Sequence, residues 1–160
     1  MAQTKISFEQ FLEATPENNK AFVQALHTYL LDNACKVTFE EKKSGLLASY
    51  KVGKPQRALL NLIFRKNGML TRIYGERISA YPDFLNTLPA EMIKSIESAG
   101  ICKRLVDNTC NPKCVGYDFT IGNERFQKCR YNCFEFLMTG ESNPYIKSFV
   151  EHELKERMTA

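Results

Sequence analysis

Residues 46–75, LLASYKVGKPQRALLNLIFRKNGMLTRIYG, decide the fold because they place three strand-like runs next to one another. The runs are rich in aliphatic, β-branched and aromatic residues: LLASYKV, ALLNLIFRK and MLTRIYG. Asn-Gly at 67–68, between the last two runs, is the strongest short-range signal for a hairpin with a type I′ turn. An alternating run at 36–41 and a turn at 43–45 precede the stretch. The pattern therefore predicts four antiparallel strands in sequence order.

Helical patterns flank these strands on both sides. Ser7 and Gln10 form a capping box, which predicts a short helix from Phe8 to Ala14. Thr-Pro-Glu at 15–17 combines an N-cap, a first-turn proline and an acidic residue, and predicts the start of a longer helix. Pro89 is expected to open another helix after the strands.

The last helix is predicted to open at 143–144 and to carry an apolar stripe at i, i+4 spacing: Ile146, Val150, Leu154 and Met158. Glu153 and Arg157 are predicted to pair on its exposed side. Together these elements predict one α+β domain spanning residues 1–160. Its antiparallel sheet is expected to have four to six strands covered by helices, with a cysteine-bearing β-hairpin near the C-terminal helix.

The composition is that of a soluble globular protein, with 160 residues, 44% hydrophobic and 25% charged residues and a net charge of +4. No run approaches the roughly 18 apolar residues of a membrane span, and the N-terminus does not resemble a signal peptide. These features predict a cytoplasmic protein without a membrane partner. In that compartment thiols stay mostly reduced, so clustered cysteines favour metal binding or redox chemistry over permanent disulfides.

Four of the six cysteines lie in residues 110–133, CNPKCVGYDFTIGNERFQKCRYNC, as two C-x-x-x-C units. Gly-Asn at 122–123 suits a two-residue hairpin loop. If the residues on either side of this loop pair, Phe119 lies opposite Phe126 and Gly116 opposite Cys129. Because side chains alternate along a strand, this register predicts that the four thiols converge at the open end of the hairpin.

A structural zinc site is the favoured interpretation of this segment, with the ion held by Cys110, Cys114, Cys129 and Cys133. Structural zinc is bound by four protein ligands in a tetrahedron, with Zn–S distances of about 2.3 Å. The spacing differs from the common C-x-x-C unit by one residue in each half. Reduced thiols with a packing or redox-sensing role, disulfides and an iron–sulfur cluster remain open as alternatives. Cys35 and Cys102 are expected to be buried core residues.

The sequence contains no recognisable catalytic motif, so a non-catalytic binding or regulatory domain is favoured over an enzyme. The first alternative is a small-molecule (effector) domain with an aromatic pocket and reduced or redox-sensing cysteines. The pocket residues would include Tyr50, Phe64, Tyr74 and Tyr81, although the same residues would suit a plain core. Protein partners are also possible.

Nucleic-acid binding is the further alternative, because basic and aromatic residues interleave in two segments. The candidate contacts are Arg65, Lys66, Arg72, Arg77, Lys128, Arg130 and Tyr131. The competing interpretation is an ordinary antiparallel sheet with one charged, solvated face. The modest net charge gives nucleic-acid binding little support.

Four segments together carry a resemblance to known proteins: RIYGERISAYPDFLNTLP, CNPKC, GYDFTI and KCRYNCFEF. With them the chain resembles a family of small bacterial proteins, chiefly of clostridial type, with paired C-x-x-x-C units. The resemblance implies a bacterial protein and carries no activity with it. The predicted order of helices and strands is also similar to small effector-binding domains of bacterial regulators, which is an analogy of fold alone.

Overall fold

The computed structural model describes residues 5–66, 68–102, 105, 116–129 and 133–159. Its strands are β1 Lys36–Lys42, β2 Gly45–Val52, β3 Arg57–Arg65, β4 Gly68–Ile73, β5 Tyr117–Ile121, β6 Glu124–Lys128 and β7 Glu135–Leu137. Its helices are α1 Phe8–Ala14, α2 Glu17–Asp32, α3 Pro82–Leu85, α4 Ala90–Ser98 and α5 Asn143–Thr159. A 3₁₀ turn, Ile78–Ala80, precedes α3. These elements confirm the predicted α+β class.

The main sheet has five antiparallel strands in the order β1-β2-β3-β4-β7. Its first four strands follow the predicted sequence order. The short strand β7 adds to the edge of β4, where Thr71 pairs with Phe136. The sequence pattern did not predict β7, but the total of five strands lies within the predicted range. Strands β5 and β6 form a separate two-stranded sheet.

The main sheet has one mixed face, on which Leu47, Ile63, Leu70 and Leu137 form a row beside Asn61 and Arg72, and one largely apolar face. Cross-strand partners share a face, so one row crosses all five strands: Phe39, Ala48, Leu62, Thr71 and Phe136. Helix α1 covers this face where the Phe11 ring lies 5.2 Å from the Phe64 ring. Helix α5 covers it where Phe149 lies 6.1 Å from Phe136. The sheet is therefore packed on the helices through one face.

The hairpin between β3 and β4 has a register that shifts its predicted turn. Arg65 pairs with Gly68, so Gly68 belongs to the strand, with a φ of 133°. Asn-Gly at 67–68 is therefore not the central pair of the turn, contrary to the prediction from the sequence, and Asn67 itself lies outside the described residues. At the preceding hairpin a Cβ on Gly45 would come within 2.7 Å of the Phe64 Cβ. That position accepts only glycine without a shift of the neighbouring strand.

The hairpin β5–β6 has the predicted register. Ile121 pairs with Glu124 around the loop, and Phe119 pairs with Phe126. The Gly122 N–H donates a hydrogen bond to Asn86 Oδ1 at 2.8 Å, which fixes the loop against the segment after α3. Phe134 lies 5.3 Å from Phe119 and 5.0 Å from Phe149 of α5, measured between ring centroids. The hairpin therefore lies near the C-terminal helix, as predicted.

The N-terminal helices follow their predicted signals with one difference. The capping box between Ser7 and Gln10 is formed, and α1 has the predicted bounds. Helix α2 begins one residue later than expected, with Pro16 at the N-cap and no side-chain cap. The Thr15 hydroxyl instead donates to the Phe11 carbonyl at 2.8 Å. Thr15 therefore completes α1 and does not start α2.

Two predictions about the faces of α5 were wrong. Ile146, Val150 and Leu154 are buried as expected, but Met158 is 54% exposed. The predicted surface pair of Glu153 and Arg157 is wrong in location, since Glu153 is fully buried and only 10% of the Arg157 side chain is exposed. The pair itself exists, with Arg157 Nε 2.7 Å from Glu153 Oε2.

Candidate functional site

The open end of the β5–β6 hairpin brings two of the four predicted zinc ligands together. Cys129 follows β6 directly, and the Cys133 N–H donates to the Cys129 carbonyl at 3.1 Å across one turn. Cys129 is half-buried, Cys133 is fully buried, and both are free thiols. Cys110 and Cys114 lie outside the described residues. The convergence of all four thiols therefore stays a prediction.

The Cys133 thiol has an environment that favours its protonated form. Burial raises the pKa of Cys133, Lys128 partly opposes that rise, and the neighbouring Cys129 adds to it. A metal ion bound here would have to displace the Cys133 proton. Within the described part of the chain, no three potential metal ligands cluster together.

A fifth cysteine lies beside this segment. The Cys102 N–H donates to the Gln127 carbonyl at 2.9 Å, next to a bridge between Ile101 and Lys128. A Cβ on Gly116 would lie 2.2 Å from Cys102 Sγ. The missing side chain of Gly116 therefore allows Cys102 to approach closely. Cys102 and Cys35 are both buried, as expected.

Two of the four predicted aromatic ligand-binding residues pack near α1 and α2. Tyr50 is fully buried, and its hydroxyl lies 2.8 Å from His27 Nδ1. Burial raises the Tyr50 pKa and lowers the His27 pKa, the latter partly opposed by Glu9. Phe64 is half-buried beneath α1. Both aromatic side chains therefore contribute to the packing of these helices on the sheet.

The other two predicted aromatic residues lie toward α5. Tyr74 is buried, and its hydroxyl accepts a hydrogen bond from Asn61 Nδ2 at 3.1 Å. Tyr81 is buried and donates its hydroxyl proton to Glu153 Oε1 at 2.5 Å. Tyr50, Tyr74 and Tyr81 are thus buried and Phe64 packs half-buried against the core, and ligand binding by these four residues stays a prediction.

Two of the basic residues considered for nucleic-acid contact already have partners within the protein. Arg72 Nε donates to Glu135 Oε1 at 2.8 Å across β4 and β7. Lys128 is buried, and its Nζ donates to the Glu97 and Ala99 carbonyls at 2.9 Å each. It thereby neutralises the carbonyl end of α4.

The other nucleic-acid candidates are distributed differently. Arg65, Lys66 and Arg77 are exposed, whereas Arg130 and Tyr131 lie outside the described residues. Arg65 and Arg72 lie on the mixed face of the main sheet, together with apolar residues such as Ile63 and Leu70. Nucleic-acid binding is not tested by these positions.

A buried carboxylate is the feature that sequence reasoning missed. Glu153 accepts hydrogen bonds from the Tyr81 hydroxyl, from Arg157 Nε, and from the Arg77 backbone N–H at 3.2 Å to each oxygen. Burial and the Glu153 carboxylate raise the Tyr81 pKa. This network joins α5 to the segment that follows β4.

The helical spacing of α5 contained a signal for this network. Its buried residues include Ile146, Phe149, Val150 and Glu153. Positions 146, 150, 153 and 157 form one continuous stripe on a helix with 3.6 residues per turn. Strict i, i+4 spacing leads instead from Leu154 to Met158, which is exposed.

The described fold and the hairpin define an α+β protein with a cysteine pair at the end of a β-ribbon. In comparisons with protein-family models, curated proteins and solved structures, the chain matches none. None of the described helices is long and apolar enough to cross a membrane.

Proposed function

We propose that the protein is a non-catalytic binding domain in which Cys110, Cys114, Cys129 and Cys133 hold one structural zinc ion. The observation that supports the proposal is the position of Cys129 and Cys133. They lie one turn apart at the open end of a hairpin with the register expected for converging thiols. In the sequence, Cys114 comes two residues before Gly116, which immediately precedes β5.

The chemistry of these residues suits zinc. Thiolates are soft ligands that select zinc, and four of them without an open position make a structural site. Such an ion would join residues 110–114 to residues 129–133 and contribute directly to folding energy. The four described cysteines are free thiols, which fits a reducing compartment. We therefore propose a cytoplasmic location.

The proposal predicts a specific effect of metal removal on stability. At zinc concentrations about 1,000 times the dissociation constant, binding stabilises the folded state by about 4 kcal/mol. For a chain of this size that corresponds to a loss of roughly 8–16 °C in melting temperature when a chelator is added. The measurement is a thermal melt of the full chain under reducing conditions, with and without the chelator.

Matched cysteine variants separate zinc loss from general destabilisation. Cys129→Ala removes a half-buried predicted ligand, and Cys35→Ala removes a buried thiol outside the hairpin segment. Wild type and Cys35→Ala should both lose stability on chelation, whereas Cys129→Ala should respond much less. Equal melting temperatures with and without chelator in wild type would refute the zinc site.

A further inference from the structure

A cavity of about 700 Å³ opens between the β2–β3 connection, the segment after β4 and the end of α5. Its walls are formed by Ala34, Val52, Gly53, Lys54, Pro55, Arg57, Glu76, Arg77, Arg157 and Met158. Small-molecule sites commonly have volumes of about 300–1,000 Å³. The cavity is therefore large enough for a ligand well above the size of a simple ion.

Positive charge dominates the cavity walls. Four of the lining side chains are cations, namely Lys54, Arg57, Arg77 and Arg157. Glu76 pairs with Arg57 and the buried Glu153 pairs with Arg157, so the excess positive charge comes from Lys54 and Arg77. Arg57 forms a bidentate pair with Glu76, with Nε–Oε2 and Nη2–Oε1 distances of 2.8 and 2.7 Å. Lys54 and Arg77 are exposed, and neither pairs with a carboxylate within the described ranges. The cavity thus presents an excess of cationic groups to a ligand.

Arg157 contributes a largely buried guanidinium group to this wall. Its side chain is nine-tenths buried; Nε donates to Glu153, and Nη2 donates to the Tyr74 carbonyl at 2.6 Å. The third nitrogen, Nη1, is buried and has no hydrogen-bond partner among the residues that the structure describes. A buried donor without a partner is unfavourable, and a charged one especially so. Because Nη1 is closed to solvent, Arg157 contributes its guanidinium group to the wall but no hydrogen bond from Nη1 to an anion in the cavity.

Apolar residues form the rest of the wall. Val52 is buried at the end of β2, Pro55 lies in the β2–β3 connection, and Met158 is 54% exposed at the end of α5. The exposed methionine was predicted to be a core residue, and its side chain instead lines the cavity. A ligand with an apolar body next to its anionic group would bury these surfaces.

We propose that this cavity binds a small organic phosphate, a monoester about the size of a nucleotide. The phosphate group would lie against the cationic side chains of Lys54, Arg77 and Arg157, and the organic part against Val52, Pro55 and Met158. Phosphate suits the wall because it carries up to two negative charges and accepts bidentate hydrogen bonds from guanidinium groups. The zinc site is not required for this binding.

Calorimetric titration of the full chain with adenosine 5′-monophosphate, adenosine, inorganic phosphate and succinate tests the proposal. The monophosphate should bind more tightly than adenosine and inorganic phosphate, since each of these lacks one half of the ligand. It should also bind more tightly than succinate, which offers carboxylates without an apolar body. Its affinity should fall as salt is raised, because the binding groups are charged.

Charge-removing variants then locate the binding site. Arg77→Gln and Lys54→Gln remove exposed side chains, and the Arg77 backbone N–H that bonds to Glu153 remains in place. Each substitution should lower the affinity for the monophosphate about tenfold, which is the effect expected from losing one charge-assisted hydrogen bond. Lys94→Gln removes an exposed cation on α4, away from the cavity walls, and should leave the affinity unchanged.

Three results would overturn the proposal. The first is absence of binding by the monophosphate at millimolar concentration while the protein remains folded. The second is binding that both cavity variants leave intact. The third is binding of a single-stranded oligonucleotide without any binding of the monophosphate. That result would indicate a nucleic-acid surface and not a small-molecule cavity.

Discussion

Replacing Glu153 by glutamine should destabilise the protein strongly, although the two side chains have nearly the same shape. The carboxylate is fully buried and is paired with Arg157, whose side chain is nine-tenths buried. The substitution removes the negative charge and leaves the guanidinium without its counter-charge. Breaking a buried pair in this way costs about 3–5 kcal/mol.

Hydrogen bonding adds to this effect. The carboxylate accepts from the Tyr81 hydroxyl, the Arg77 N–H and Arg157 Nε, all of which are donors. The glutamine amide has only one oxygen, and its NH₂ group would face at least one of these donors. Taking the lower limit of about 3 kcal/mol, the melting temperature should fall by roughly 9 °C for a chain of this length.

The assay is a thermal melt at neutral pH, with Glu151→Gln as the matched control. Glu151 lies two residues away on the same helix and is exposed. The same chemical change there should alter the free energy of unfolding of the protein by less than about 0.5 kcal/mol. A Glu153→Gln protein that melts within 2 °C of wild type, at about the same temperature as the control, would refute the buried network.

Three further substitutions test other parts of the fold by thermal melts. Lys128→Met removes the ammonium that caps α4 and should lower stability by about 1–2 kcal/mol, whereas a shift below about 1 °C would contradict a capping role. Gly116→Ala places a methyl group 2.2 Å from Cys102 Sγ and should cost about 1–3 kcal/mol; an unchanged melt would argue against that contact. Burial lowers the His27 pKa below its ordinary 6.5, so the folded state favours the neutral ring and stability should be lost as pH falls below about 6.5. His27→Gln should flatten that part of the pH profile, and an identical profile in both proteins would contradict the assignment.

The sequence predicted those parts of the fold that depend on local signals. The capping box at Ser7 and the loop at 122–123 are each specified by neighbouring residues, and both were correctly placed. Strand β7 was missed because three residues carry too little pattern, and its pairing with β4 is a long-range contact. Local propensity does not encode such contacts.

The candidate sites were less accessible to sequence reasoning. Glu153 and Arg157 have the spacing of a surface ion pair, and only the packing of α5 against the segment after β4 buries them. The basic cavity is lined by residues from separate parts of the chain, including Lys54, Arg77 and Arg157. No local sequence motif therefore predicts it. Lys128 appeared to be a surface cation because its acceptors, two carbonyls at the end of α4, lie about 30 residues earlier.

The zinc content of the purified chain tests the central claim most directly. Native mass spectrometry of protein prepared under reducing conditions should give one zinc ion per chain in wild type and in Cys35→Ala. The same preparation of Cys129→Ala should contain much less zinc. A wild-type chain that carries no zinc after incubation with a stoichiometric supply, while still folded, would contradict the account.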